Sequence, residues 1–341
     1  MPHATQISQY SHVPETKEDL DWADLANIDL STYGTDEGNA ALAQQLIEAV
    51  RTKGFFYVTN FGIPQEKVDR QFALGQAFYE LPLEEKLKYV PDLDNGEYNG
   101  QRWPHHPARA RLTEGAHRRD RNICRVPLRK SPRPPQPPHR PRPRAAPDFF
   151  TKLHRWDTHD ESHLRYMKYG KFSPDEIAKL DDGLWSGGHT DLGTITLLFR
   201  QPVAALQIRE HETGQWKWAK PLDGSLTVNT CDALSFLTGG YIKSTIHRVA
   251  LPPADQRHVD RLGLLYFSRP QNDVVLKTID SPVLQRAGFT QNEFEAGGHP
   301  VPTMGEFTQR KQKWQQAKAK DHQYAKDGEE IVPGFKGQYF K

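Results

Sequence analysis

The chain has 341 residues, enough for one large domain or two small ones, with 36% hydrophobic residues and a mean hydropathy of −0.77. No apolar run approaches the ~18–20 residues that span a bilayer. Residues 1–20 lack the basic start and apolar stretch of a secretory signal, and Cys124 and Cys231 are too few for a disulfide framework. Membrane and disulfide-stapled classes are thus disfavoured, and the expectation is a reduced, cytoplasmic protein, most simply a monomer.

In chain order, "ADLANIDLS" predicts a short strand, Asn27 to Leu30. "TDEGNAALAQQLIEAVRTKG" predicts a helix whose apolar face is Leu42, Leu46, Ile47 and Val50, ended by Gly54. "FFYVTNF" reads as a strand of β-branched and aromatic residues. "IPQEKVDRQFALGQAFYEL" reads as a second helix with Pro64 near its start. "PLEEKLKYV" opens a short third helix, and "NGEYNGQRW" is a loop carrying Tyr98 and Arg102.

Residues 104–147 differ in kind. They hold eleven arginines and one lysine against Glu114 and Asp120, and 11 of the 26 prolines. Proline lacks an amide donor and fixes φ, so "SPRPPQPPHRPRPRAAP" makes neither helix nor central strand. Such a composition buries too little apolar surface to offset its ordering entropy. Three readings compete: a basic arm for acidic partners, a neutral linker, or a reading-frame error or mis-assigned intron. The third is favoured, because the family resemblance carried by the flanking segments, given below, stops near Trp103 and resumes near Phe149. Nucleic acid is the less favoured partner, since no aromatic residue interleaves the arginines for base stacking.

After the tract, "FFTKLHRW" reads as a short helix and "HLRYMKYGKF" as a strand. Short strands follow near 195–200, 206–210, 216–219, 226–229, 234–238, 244–251 and 261–268. Spacing of about ten residues with Gly, Asp and Pro between them is an all-β signature. "GEFTQRKQKWQQAKAK" (305–320) predicts a basic helix with a solvated face.

The motif that carries chemistry is His189-Thr190-Asp191, with His247 lying 56 residues beyond Asp191 and Arg261 a further 14 on. Two imidazoles and one carboxylate suit one face of an octahedral Fe(II) and leave the other face open. Residues i and i+2 can point one way, and the motif sits between Gly187-Gly188 and the apolar run from Ile195. A second His-x-Asp, His258-Val259-Asp260, lies in a polar loop with no comparable downstream histidine.

"WSGGHTDLGTITLLF", "GSLTVNTCDALSFLTGGYIKSTIHRVALPP" and "RLGLLYFSRP", together with "GFFYVTNFGIP" and "FYELPLEEK", resemble the isopenicillin N synthase-like branch of the Fe(II)/2-oxoglutarate-dependent oxygenases. The resemblance covers about residues 28–103 and 150–280. It implies a mainly β fold with flanking helices around a double-stranded β-helix (jelly-roll, cupin-like) core. It also implies Fe(II) on His189, Asp191 and His247, with 2-oxoglutarate and O2 as cosubstrates and Arg261 on the 2-oxoglutarate C5 carboxylate. Tyr169 and Arg165 match the strand that lines the cosubstrate pocket. Tyr98, Arg102, Phe199, Phe267 and Arg269 are the candidates for contacts to a small organic substrate, and Arg269 would favour an acidic or carbonyl-bearing one.

Two departures stand out. The family's usual Arg-x-Ser is here Arg261-Leu262-Gly263, which loses one hydroxyl, and Met167 stands where many relatives carry Asn. The expected layout is an N-terminal helix/strand region (1–103), the Arg/Pro-rich segment (104–148), a catalytic core (149–285) and a helical tail (286–341). The expected activity is hydroxylation with decarboxylation of 2-oxoglutarate to succinate. The alternative is an inactive relative whose scaffold the tract has disrupted.

Overall fold

The computed structural model describes residues 7–87, 148–155, 160–171, 173–179, 184–320 and 328–337. Tyr98, Arg102 and the Arg/Pro-rich tract therefore lie outside the described residues.

The N-terminal part runs β1 (Asn27–Asp29), α1 (Asp36–Thr52), β2 (Phe55–Thr59), α2 (Gln65–Glu80) and α3 (Leu83–Leu87). After the tract come α4 (Phe149–Lys152), β3 (His163–Tyr169), α5 (Pro174–Lys179), β4 (Leu184–His189), β5 (Ile195–Phe199), β6 (Leu206–Arg209) and β7 (Trp216–Trp218). Then follow β8 (Ser225–Thr230), α6 (Asp232–Leu237), β9 (His247–Ala250) and β10 (Arg261–Ser268). The tail contributes α7 (Pro282–Arg286), α8 (Glu293–Ala296), α9 (Met304–Lys320), β11 (Glu330–Val332) and β12 (Phe335–Lys336).

The strands form a six-stranded sheet, β1-β2-β8-β5-β10-β3, and a four-stranded sheet, β4-β9-β6-β7, beside the small β11-β12 hairpin. All neighbours are antiparallel except β1 and β2. Register decides what each face of the large sheet carries. Arg261, Gly263, Leu265 and Phe267 of β10 lie opposite Tyr169, Met167, Arg165 and His163 of β3, and Phe267 and Leu265 lie opposite Thr196 and Leu198 of β5. The row continues through Asn229 and Thr227 of β8 to Phe55 and Tyr57 of β2. This face is mostly polar.

Alternate residues fill the other face: Leu262, Leu264, Phe199, Leu226, Val228 and Phe56 pack with Leu42, Val50, Val68 and Phe72 of α1 and α2. That is the period-2 logic of a sheet buried on one side by helices. A smaller core of Phe55, Leu206, Ile208 and Ala219 joins the polar face to the four-stranded sheet. The jelly-roll interior is thus apolar at one end and polar at the other.

Several expectations change. Residues 234–238 are not a strand: 234–237 belong to α6, whose Asp232, Ala233, Leu234, Phe236 and Leu237 are all buried, and Thr238 caps it. An all-buried segment has no face pattern to separate helix from strand. Leu46 and Ile47 are exposed, so the buried stripe of α1 narrows to Leu42, Ala49 and Val50. The tail is not simply helical, and α9 is not merely a solvated helix. Met304 and Phe307 are fully buried and share a core with Leu192, Ala233, Phe236, Leu276, Phe294 and Val332. Among the described residues no helix is long and apolar enough to cross a membrane.

Candidate metal centre and its surroundings

β4 was not expected, because "WSGGH" is rich in glycine and polar residues. It pairs antiparallel with β9, and the register sets His189 directly opposite His247. Strand pairing thus joins two distant histidines, while Asp191 follows in the turn after β4. The i and i+2 convergence comes from the end of one strand plus a turn, not from one continuous strand.

The ligand atoms of His189, Asp191 and His247 all lie within 4.8 Å of one another. Asp191 stands between the rings, with 3.8 Å from His189 Nε2 to Oδ1 and 3.8 Å from His247 Nε2 to Oδ2. Each imidazole meets the carbonyl two residues before it: His189 Nδ1 lies 2.9 Å from the Gly187 oxygen and His247 Nδ1 3.1 Å from the Thr245 oxygen. A carbonyl only accepts, so Nδ1 carries the proton and Nε2 presents its lone pair to the centre. Asp191 Oδ2 accepts from Thr196 Oγ1 at 2.7 Å and Asn229 Nδ2 at 3.0 Å. The Phe55 ring packs edge-on against His247, 5.4 Å between centroids.

Electrostatics agree with a centre built for a cation. Burial, reinforced by the neighbouring His247, pushes the His189 pKa down to about 4, so the ring is neutral at neutral pH. Burial alone would raise Asp191. His247, His189 and the two hydrogen bonds outweigh it, and the carboxyl is held well below its ordinary value. Two imidazole nitrogens and one carboxylate, each oriented from behind, fit Fe(II). The second His-x-Asp does not join them: Asp260 pairs with Lys168 at 2.7 Å, and His258 is exposed.

The polar face of the large sheet continues from this centre. Arg261 is 4% exposed, its guanidinium lies 5.5 Å over the Tyr169 ring, and its buried Nε has no hydrogen-bond partner among the described residues. An orphaned guanidinium donor at this place fits the far carboxylate of 2-oxoglutarate. Arg165 donates to His163 Nε2 at 3.0 Å and lies 4.8 Å over the Phe267 ring, which stacks on His163. His163 Nδ1 meets the Glu161 carbonyl at 2.7 Å. Burial and the adjacent Arg165 push its pKa down to about 3. Arg269 is 3% exposed, and its buried Nε and one terminal nitrogen have no hydrogen-bond partner among the described residues. Burial, with Arg165 nearby, lowers it to about 10. Arg165, Arg261 and Arg269 form no ion pair among the described residues.

Phe199 is a correction. Its register partner is Leu226, it belongs to the core on the opposite face, and its ring meets Phe61 at 6.5 Å. It packs against the helices rather than facing the centre. A cavity of about 560 Å³ opens beside His189 and Thr190, walled by Phe236, Glu293, Lys311 and Trp314. Neither Lys311 nor Asp232 belongs to a motif that the sequence marks for this place.

Comparison with known proteins gives a consistent answer. Residues 25–120 match the family described as non-haem dioxygenase in morphine synthesis N-terminal, and residues 161–270 match the 2OG-Fe(II) oxygenase superfamily. The chain is 28% identical over 264 residues to the 2-oxoglutarate-Fe(II) type oxidoreductase hxnY of Emericella nidulans, covering 66% of this chain and 74% of that one. It is 31% identical over 147 residues to the 2-oxoglutarate-dependent dioxygenase frbH of Dothideomycetidae sp., 43% of each chain. Among solved structures, a full-length Neurospora crassa protein in complex with alpha-KG and 5-formyluracil superposes with a TM-score of 0.65 at 19% identity, over 87% of this chain and 99% of that one. The rice dioxygenase for auxin oxidation gives 0.55 at 18% identity, over 84% and 99%. These likenesses show the fold. The two family matches and the sequence relatives, with the His-Asp-His centre, establish that the chain belongs to the 2OG-Fe(II) oxygenase superfamily, in its isopenicillin N synthase-like branch, and is a 2-oxoglutarate-dependent dioxygenase.

Proposed function

We propose that this dioxygenase hydroxylates a small organic molecule bearing an acidic or carbonyl group. The observation that carries the reading is the convergence of three ligand atoms within 4.8 Å at one end of a polar, arginine-lined sheet face. His189, Asp191 and His247 would hold Fe(II). When bound, the iron supplies O2 chemistry coupled to decarboxylation of 2-oxoglutarate to succinate and CO2, which oxidises a C–H bond of the second substrate.

The chain's own residues bind and orient. Arg261 takes the C5 carboxylate, because a planar guanidinium matches it bidentately and stays charged. Tyr169 fixes that guanidinium from its ring face. Thr196 and Asn229 hold Asp191 so that one carboxylate oxygen stays turned to the centre. Phe267 supplies an apolar wall, and Arg165 and Arg269 offer the donors that anchor an anionic or carbonyl oxygen. Thymine and 5-formyluracil, named for the Neurospora crassa structures, are small carbonyl-bearing rings of this general kind.

The test is an anaerobic titration with Fe(II) and 2-oxoglutarate, followed by the weak visible charge-transfer band of the chelate. Succinate release is then assayed with and without His247→Ala. The band and its loss, with turnover, in the variant are the expected results. Retained turnover in His247→Ala would sink the ligand assignment.

A further inference from the structure

Lys311 lies on α9, far outside the matched family segment, and is 3% exposed. All three ammonium protons are used. One goes to the Thr190 carbonyl at 3.0 Å, one to Thr190 Oγ1 at 2.9 Å, and one to Asp232 Oδ2. Asp232 is equally buried. Its Oδ1 accepts from Ser244 Oγ at 2.6 Å, and its backbone N–H donates to the Asp191 carbonyl at 2.9 Å.

Thr190 is the residue between two ligands. β4 ends at His189, so the sheet no longer fixes the peptides that aim the Asp191 carboxylate. What fixes them is Asp232 N–H on the Asp191 carbonyl, Ala233 N–H on the Gly193 carbonyl, and Lys311 on Thr190. Asp232 alone could neutralise Lys311 with one bond. The other two bonds both go to Thr190.

We propose that Lys311 is a positioning residue for the metal ligands. It clamps the Thr190 peptide and makes the C-terminal tail part of the catalytic unit. The proposal rests on His189, Asp191 and His247 being the Fe(II) site. Removing Lys311 leaves the Asp232 carboxylate buried and facing the Thr190 oxygens, so loss of stability is expected whether or not Lys311 acts on the ligands. The double substitution separates the two effects.

The experiment measures the Fe(II) dissociation constant by anaerobic titration in 2-oxoglutarate, and the thermal midpoint of the metal-free protein. Four proteins are compared: the unsubstituted chain, Lys311→Met, Lys311→Met with Asp232→Asn, and Thr190→Val. Lys311→Met should lose about 5–10 °C of midpoint and bind Fe(II) about 10–100-fold more weakly. The double variant should regain most of the midpoint while Fe(II) affinity stays low. Thr190→Val, which removes the hydroxyl and leaves one buried ammonium proton without its acceptor, should weaken Fe(II) several-fold with a midpoint loss smaller than that of Lys311→Met. Recovery of both properties in the double variant would reduce the pair to a structural salt bridge. Undiminished Fe(II) affinity in Thr190→Val together with the double variant would overturn the proposal even if Lys311→Met fails to fold. Failure of the unsubstituted chain to bind Fe(II) would instead bring down the site reading beneath it.

Discussion

Two buried cationic clusters flank the same metal-binding turn, and they are built on opposite principles. On the tail side, Lys311 meets a carboxylate and two oxygens, and no ammonium proton is left over. On the sheet side, Arg261 and Arg269 are as deeply buried, yet they keep unpartnered donors and no ion pair among the described residues. A buried, unmatched cation costs stability, and a scaffold has no reason to retain one. The matched cluster therefore reads as scaffold for the ligands. The unmatched one reads as a site waiting for anions, and its cost offsets part of the stability that the apolar face supplies.

That contrast breaks if substitutions on the two sides behave alike. The largest effect is expected at Arg261. Arg261→Met keeps most of the side-chain volume and removes the charge, so 2-oxoglutarate should bind about 100-fold or more weakly. The cosubstrate-free midpoint should hold or rise, the reverse of Lys311→Met. Equilibrium binding and a thermal melt in the absence of cosubstrate check both halves. A midpoint loss as large as that of Lys311→Met would show that Arg261 is matched by something structural.

Next comes Arg269→Met. Its predicted signature is a rise in KM for the second substrate of about 10–100-fold. Uncoupled succinate release and the Fe(II) chelate band should stay at the unsubstituted level. Loss of the chelate band would move Arg269 from the substrate to the metal centre.

The two clusters were not equally legible in sequence. The sequence offers the ligands, Arg261, Arg165, Tyr169, Phe267 and Arg269 as candidates through motif spacing and family likeness, because all sit on strands or turns whose order repeats a known pattern. Phe199 was misassigned because one strand read alone gives a period but not a phase. Only the pairing of Phe267 with Thr196 shows that even-numbered residues of β5 share the arginine face and Phe199 does not. β4 was hidden by its glycines and α6 by its uniform burial. Lys311 was hidden by composition, since "TQRKQKWQQAKAK" looks solvated. The signal lay in Met304, Phe307, Thr308, Lys311 and Gln312, one stripe at helical spacing, all buried. A lysine on such a stripe invites a search for its carboxylate, and no local pattern points to Asp232, 79 residues away.

Acid should act on the sheet side through His163. His163 is buried and neutral, with a folded pKa of about 3 against an ordinary 6.5. Below pH 6.5 the unfolded chain takes up a proton that the folded chain refuses. The stability contributed by this group is therefore complete above pH 6.5 and is lost as pH falls toward 3. Between pH 6.5 and 5 the loss is on the order of 2 kcal/mol. The fall in midpoint over that interval should therefore be about 3 °C smaller in His163→Leu than in the unsubstituted chain. Equal falls in both would mean that His163 is already protonated in its contact with Arg165.

The smallest effect sharpens the contrast most, because it adds a partner rather than removing one. Gly263 shares the inward face with Arg261 two residues away, opposite Met167. A Cβ built there would lie 3.3 Å from Leu265 Cδ1 and 3.6 Å from Met167 Cβ, so a small side chain fits once the leucine tip yields slightly. Gly263→Ser returns a hydroxyl beside the Arg261 guanidinium and also relieves the entropic cost of a strand glycine. One net hydrogen bond is worth about 1 kcal/mol, so 2-oxoglutarate should bind about fivefold more tightly, with the second-substrate KM unchanged. If the serine leaves cosubstrate affinity untouched, the carboxylate it was meant to meet lies elsewhere, and Arg261 loses its assigned ligand along with it.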